Sequence, residues 1–151
     1  MKIYLDACAL NRLTDDQKQP RIHAEAEAVE HIFYLIWQQR IEWSASTILA
    51  AELRKNPDAG KRHDAMALLA FAPRLTSPTP QTITRAMQLE AAGYGPFDAF
   101  HLACAEADSV DALVTTDDRF MRQAARNLGN PVVSVVNPVD LLKEVRAWLP
   151  K

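Results

Sequence analysis

The chain has 151 residues, 48% hydrophobic and 24% charged, the size and balance of one ordinary globular domain over residues 1–151. A net charge of −2 and a pI near 6.1 exclude a protein that coats nucleic acid through bulk positive charge, but not an enzyme that grips it locally. No apolar run is long enough to span a bilayer, so no membrane association is expected, and Asp6 interrupts the only candidate for a signal peptide. Cys8 and Cys104 are too few for a disulfide scaffold and lack the spacing of a metal finger, which points to a reducing, cytoplasmic home.

Short apolar runs alternate with longer helical patterns. Ile3-Tyr4-Leu5 reads as a buried strand. Val29, Ile32, Phe33 and Ile36 fall at helical spacing, predicting an amphipathic helix from about His23 to Gln38. Glu25, Glu27 and Glu30 lie in its first half, where the helix dipole favours acids. Ile41-Glu42-Trp43 is a second strand, and Ser46 caps a helix carrying Ile48, Leu49, Glu52 and Leu53. The Pro-rich stretch 73–80 is a loop around a brief strand rather than a linker, and nothing repeats at a fixed period.

Thr79-Pro80 reads as N-cap and first-turn proline of a helix ending at Gly93. Pro96 opens another, containing Asp98, His101 and Cys104. Ala112–Thr115 is a strand, followed by a helix from Asp117 to Gly129. Val132–Val136 is the clearest strand of all, and Asn137-Pro138 caps a last helix with Val139, Leu142 and Val145. This alternation predicts an α/β fold, a three-layer α/β/α sandwich on a mostly parallel central sheet.

In parallel α/β folds, ligands bind beyond the carboxyl ends of the strands. Asp6 stands at the end of the first strand and Asp117 just past the end of the Ala112–Thr115 strand. Taken singly, each is explained as a turn or capping residue. Glu52 shares the apolar face of Ile48 and Leu49, where a lone carboxylate is costly unless it reaches water at a rim or finds a partner. Asp98 lies in the first turn of an otherwise apolar helix, where complementing the dipole is the ordinary explanation. Together, four converging carboxylates repel one another unless a cation neutralises them. Oxygen donors without a Cys or His cluster select Mg²⁺ or Mn²⁺ over zinc, and such ions suit phosphoryl chemistry.

Four ordered segments then resemble the motifs of the PIN-domain nucleases, the family that includes the VapC-type toxin ribonucleases. They are Ile3–Asn11 with Asp6, Ser46–Glu52, Phe97–Ala103 with Asp98, and Val114–Phe120 with Thr115, Asp117 and Phe120 in register. The resemblance covers nearly the whole chain. It implies that Asp6, Glu52, Asp98 and Asp117 are both the catalytic and the metal-binding residues. It also implies hydrolysis of RNA by metal-activated water, leaving 5′-phosphate and 3′-hydroxyl ends, and a small antitoxin protein as partner. Many relatives carry a hydroxyl residue and then Asn after the first aspartate, where this chain has Ala7 and Cys8. Support for the metal ligands is therefore sought elsewhere, from Asn11, Ser46, His101, Thr115 or Asp118.

His101, three residues from Asp98, can share its helix face, either as a base or, in the more ordinary role, as a buried residue orienting a carboxylate. Arg12, Arg119 and Arg122 are candidates for RNA phosphate contacts, set against the ordinary reading of a solvated face. Phe33, Tyr34, Trp37 and Trp43 exceed what one core needs, so an antitoxin or a second copy in a homodimer is a candidate partner for that face. Cys8 and Cys104 read as packed thiols in preference to a regulatory disulfide.

Three rival readings are weighed. A receiver-like signalling domain wants a second acid beside Asp6 and a lysine after a late strand, and the chain has neither there. A dehalogenase-like phosphatase wants an aspartate at position 8, which is Cys8. The complete set of four acids argues against a catalytically weak PIN-fold binding module, while Ala7 and Cys8 leave that alternative open.

Overall fold

The structure, a computed structural model, describes residues 1–148. Its sheet comprises β1 (Lys2–Leu5), β2 (Glu42–Ser46), β3 (Leu75–Thr76), β4 (Ala112–Val114) and β5 (Ser134–Val136). The strand order is β3-β2-β1-β4-β5, and every pairing is parallel. Parallel neighbours require crossovers, which the helices supply: α1 (Ala7–Asn11), α2 (Pro20–Trp37), α3 (Thr47–Leu53), α4 (Ala59–Leu68), α5 (Pro80–Ala92), α6 (Pro96–Ala107), α7 (Asp118–Ala125) and α8 (Pro138–Trp148). The predicted three-layer sandwich is the observed fold.

Strand alternation explains the layers. Ile3 and Leu5 of β1 enter one core with Leu10, Val29, Ile32, Trp43, Leu49 and Leu141, while Tyr4 enters the other with Leu89, Leu102, Leu113 and Phe120. All three are fully buried, as a strand covered on both faces must be. β1 is central and its register sets Leu5 beside Val114, so β1 and β4 end together and deliver Asp6 and the Thr115–Asp117 segment to one edge.

Several element bounds differ from expectation for identifiable reasons. α2 starts at Pro20 rather than His23, because proline suits a first helical turn. β2 runs on to Ser46, which both ends the strand and caps α3 by accepting a hydrogen bond from the Leu49 amide. α4 was not expected: of its residues only Ala65 is buried, so it carries almost no apolar periodicity, and its start is set by the Asp58 cap on Lys61. α7 stops at Ala125 rather than Gly129, since Asn127 (φ 59°) and Gly129 (φ 68°) turn the chain through the left-handed region. β5 is shorter than Val132–Val136 because it is an edge strand that Val132, 80% exposed, does not join. Among the described residues, no helix is long and apolar enough to cross a membrane.

Candidate active site

Asp6 continues the sheet by donating its amide to the Val114 carbonyl, then turns the chain into α1. Its carboxylate is buried, with Oδ1 accepting from the Ala9 amide at 2.9 Å. Burial pushes its pKa up to about 6, against the pull of His101 and of hydrogen bonds from Thr115 and Ala9. Thr115 is itself buried, and its Oγ1 accepts from the Asp117 amide at 3.1 Å, so one hydroxyl couples two of the acids. Asp117 caps α7, with Oδ1 accepting from the Arg119 and Phe120 amides. Glu52, on α3, meets the buried His101 ring, Oε1 to Nε2 at 3.1 Å.

Asp98 differs from the other three. It opens α6, and among the described residues no hydrogen-bond donor reaches its side chain. Its pKa rises to about 7, through burial first and then the charges of Asp6 and Asp117, with Glu52 adding to them. The Cys8 thiol is pushed up by burial and by the charges of all four acids. These couplings put the four carboxylates in one electrostatic neighbourhood at the carboxyl edge of the sheet. No Lys or Arg side chain among the described residues forms an ion pair with any of them; His101 on Glu52 is their one basic contact.

No three His, Cys, Asp or Glu side chains among the described residues are drawn together as a ready cage for a metal ion. The carboxylates stand apart, as like charges do. The donor set still fits a hard divalent cation: partly desolvated oxygens, three of the acids held at one oxygen by internal donors, and no protein cation neutralising the group.

The surrounding residues sort themselves. His101 meets Glu52 directly, and Ser46 reaches His101 through Tyr4, a residue the sequence does not single out. The Asn11 side-chain oxygen is buried and has no hydrogen-bond partner among the described residues. Asp118 is turned to Arg21, which grips both its oxygens at 2.7 and 2.8 Å and lowers its pKa. Arg12 is committed to Glu25 and Asp15 at 3.1 and 2.9 Å. Arg119 and Arg122 are exposed on α7 beside Asp117, and neither forms an ion pair among the described residues. The Lys55 ammonium lies 4.8 Å above the Phe97 ring next to Asp98. Cys8 and Cys104 are both free thiols.

An all-parallel α/β/α sheet with acids gathered beyond the carboxyl ends of its strands belongs to the open α/β folds, which bind ligands at that edge. This chain belongs to the PIN domain family, whose model matches residues 3–126. Among solved structures, a chain of FitAB bound to an IR36 DNA fragment has a similar fold, with a TM-score of 0.56 at 19% identity over 91% of this chain and 95% of that one. No curated protein matches the chain. The family assignment displaces the receiver-like and dehalogenase-like readings.

Proposed function

We propose that the chain forms a single catalytic domain, a metal-dependent endoribonuclease acting as the toxin of a toxin–antitoxin pair. Asp6, Glu52, Asp98 and Asp117 would hold Mg²⁺ or Mn²⁺. The observation that carries this reading is the gathering of four buried or half-buried carboxylates with which, among the described residues, no Lys or Arg is paired. A bound divalent ion supplies Lewis-acid stabilisation of the charge that builds on phosphoryl oxygens, and makes water nucleophilic near neutral pH.

The chain itself contributes orientation. The Ala9 amide, the α7 amides and His101 hold one oxygen of Asp6, Asp117 and Glu52 respectively, which leaves the other oxygen of Asp117 and of Glu52 for the cation, while Thr115 adds a further hydrogen bond to Asp6. Asp98, without such a donor, is free to turn toward the cation. Arg119 and Arg122 bind backbone phosphates along α7, which fixes the strand without reading its bases. Arg12 braces Glu25 instead.

The exposed Tyr34 and Trp37 of α2 and Phe71 flank a groove of about 610 Å³ lined also by Leu13, Phe33 and Leu68. An apolar face of this kind suits a small antitoxin or a second copy of the chain. The toxin assignment rests on the resemblance of the four motifs to VapC-type ribonucleases.

The test is cleavage of a labelled mixed RNA pool in Mg²⁺, Mn²⁺ or EDTA by wild type, Asp6→Asn and Asp98→Asn. The expected result is cutting that needs the metal and is lost in both variants. Cutting that survives EDTA would overturn the metal dependence, and equal background from all three proteins would overturn the enzyme reading in favour of a binding module.

A further inference from the structure

Four hydrogen bonds form a closed circuit through the interior. The Leu49 amide of α3 donates to Ser46 Oγ at 3.1 Å, and Ser46 Oγ lies 2.6 Å from the Tyr4 hydroxyl of β1. Tyr4 lies 2.7 Å from Nδ1 of His101 on α6, and Nε2 of the same ring returns to α3 at Glu52, 3.1 Å away. Ser46 and His101 are 0% exposed, as is Tyr4. Buried polar groups of this kind are conspicuous because each must be satisfied within the protein.

The Glu52 end of the circuit fixes its direction. A backbone N–H can only donate, and an ionised carboxylate can only accept. With a neutral imidazole, the bonds must therefore run Leu49 N–H to Ser46, Ser46 O–H to Tyr4, Tyr4 O–H to Nδ1, and Nε2–H to Glu52. The opposite tautomer would set the Nε2 lone pair against the carboxylate. Phe97 stacks on the same imidazole at 6.2 Å and 26°, and Tyr4 leans on it at 5.4 Å, so the ring is also held in orientation.

We propose that Tyr4, Ser46 and His101 are positioning residues for Glu52: they set the His101 tautomer, whose Nε2–H pins Glu52 Oε1 and leaves Oε2 for a divalent cation. This deepens the metal-dependent reading of the site and rests on it. The circuit starts and ends on α3, so it braces the helix bearing Glu52 against the strand leading to Asp6 and the helix bearing Asp98. Tyr4 acts here entirely through His101 and touches no substrate.

The test is Mn²⁺ affinity of the full chain by calorimetry, with melting temperature recorded for each variant and imidazole tautomers read from long-range ¹⁵N–¹H NMR. Wild type should show the proton on Nε2. His101→Leu, which cannot donate, should weaken Mn²⁺ binding about 10- to 100-fold, the usual scale for loss of an outer-shell partner. His101→Gln, which can donate from a similar place, should recover most of it. Tyr4→Phe should weaken binding while preserving ring packing, and His101→Leu should have no further effect in a Glu52→Ala background.

Equal losses in His101→Leu and His101→Gln, a proton on Nδ1 in wild type, or additive effects with Glu52→Ala would each overturn the positioning role while leaving the metal site standing. Absence of Mn²⁺ binding by wild type would overturn the metal-dependent reading and the positioning role with it.

Discussion

One buried acid, Glu25, and the four buried or half-buried acids of the candidate site are treated in opposite ways. Glu25 on α2 is 2% exposed and is surrounded by donors: Arg12 at 3.1 Å, Arg21 at 3.3 Å and the Asn137 side-chain amide. Arg21 also reaches Asp118 and the Thr116 carbonyl, so this network ties α1, α2 and the start of α8 to the loop that carries Asp117. Asp6 and Asp98 have no such partners, and their carboxyls are pushed up to about 6 and about 7. A chain that can pair Glu25 this fully leaves the four acids unneutralised a short distance away. The difference separates an acid that holds the fold together from acids left without a Lys or Arg partner among the described residues, the ones to which the proposed function gives a divalent cation.

The contrast breaks first at Glu25. Glu25→Ala removes the acid shared by Arg12, Arg21 and Asn137, leaves the one-fifth-exposed Arg12 guanidinium with Asp15 alone, and should cost about 3–5 kcal/mol in urea unfolding, the range for breaking a buried ion pair. A cost below about 1 kcal/mol would show that the network is ornamental, at the level of surface pairs.

A smaller effect of distinctive sign is expected from pH. An acid whose folded pKa lies above its unfolded value binds more protons in the folded state between the two values. Stability therefore falls as pH rises through that window, here from about 4 to about 7 for Asp98 and to about 6 for Asp6. Metal-free protein should lose on the order of 3 kcal/mol between pH 4.5 and pH 8, with the two acids acting as a coupled set rather than additively. A stability that rises over this range would mean that the acids are already paired. The same measurement on Asp98→Asn should give a flatter profile and a variant more stable than wild type at pH 8.

The sequence discloses the four acids because each is tied to a local signal. Asp6 and Asp117 follow strands and cap helices, and both caps are observed. Glu52 breaks an apolar helical face, and Asp98 interrupts an apolar helix. Glu25 illustrates what stays hidden. Its place in the first half of α2 reads as dipole complementation, which describes the exposed Glu27 well enough. What sets Glu25 apart is pairing with Arg12, Arg21 and Asn137 across distant parts of the chain, and no local pattern encodes that. Tyr4 is hidden for a similar reason: in a buried strand it looks like core, and only the fold reveals His101 and Ser46 on its hydroxyl. The Asp117 helix was overextended because Gly129 looks like a helix stop, whereas the chain leaves the helix before Asn127.

The central claim is that four carboxylates with no Lys or Arg partner among the described residues bind a divalent cation, and the most direct measurement is thermal unfolding at pH 8 with and without Mn²⁺. Binding to the folded state alone should stabilise wild type by about 2.7 kcal/mol at a free Mn²⁺ concentration a hundred times the dissociation constant. Asp98→Asn, already relieved of repulsion, should start higher and gain little from the metal. Equal stabilisation of both proteins, or none of wild type at millimolar Mn²⁺, would contradict the account.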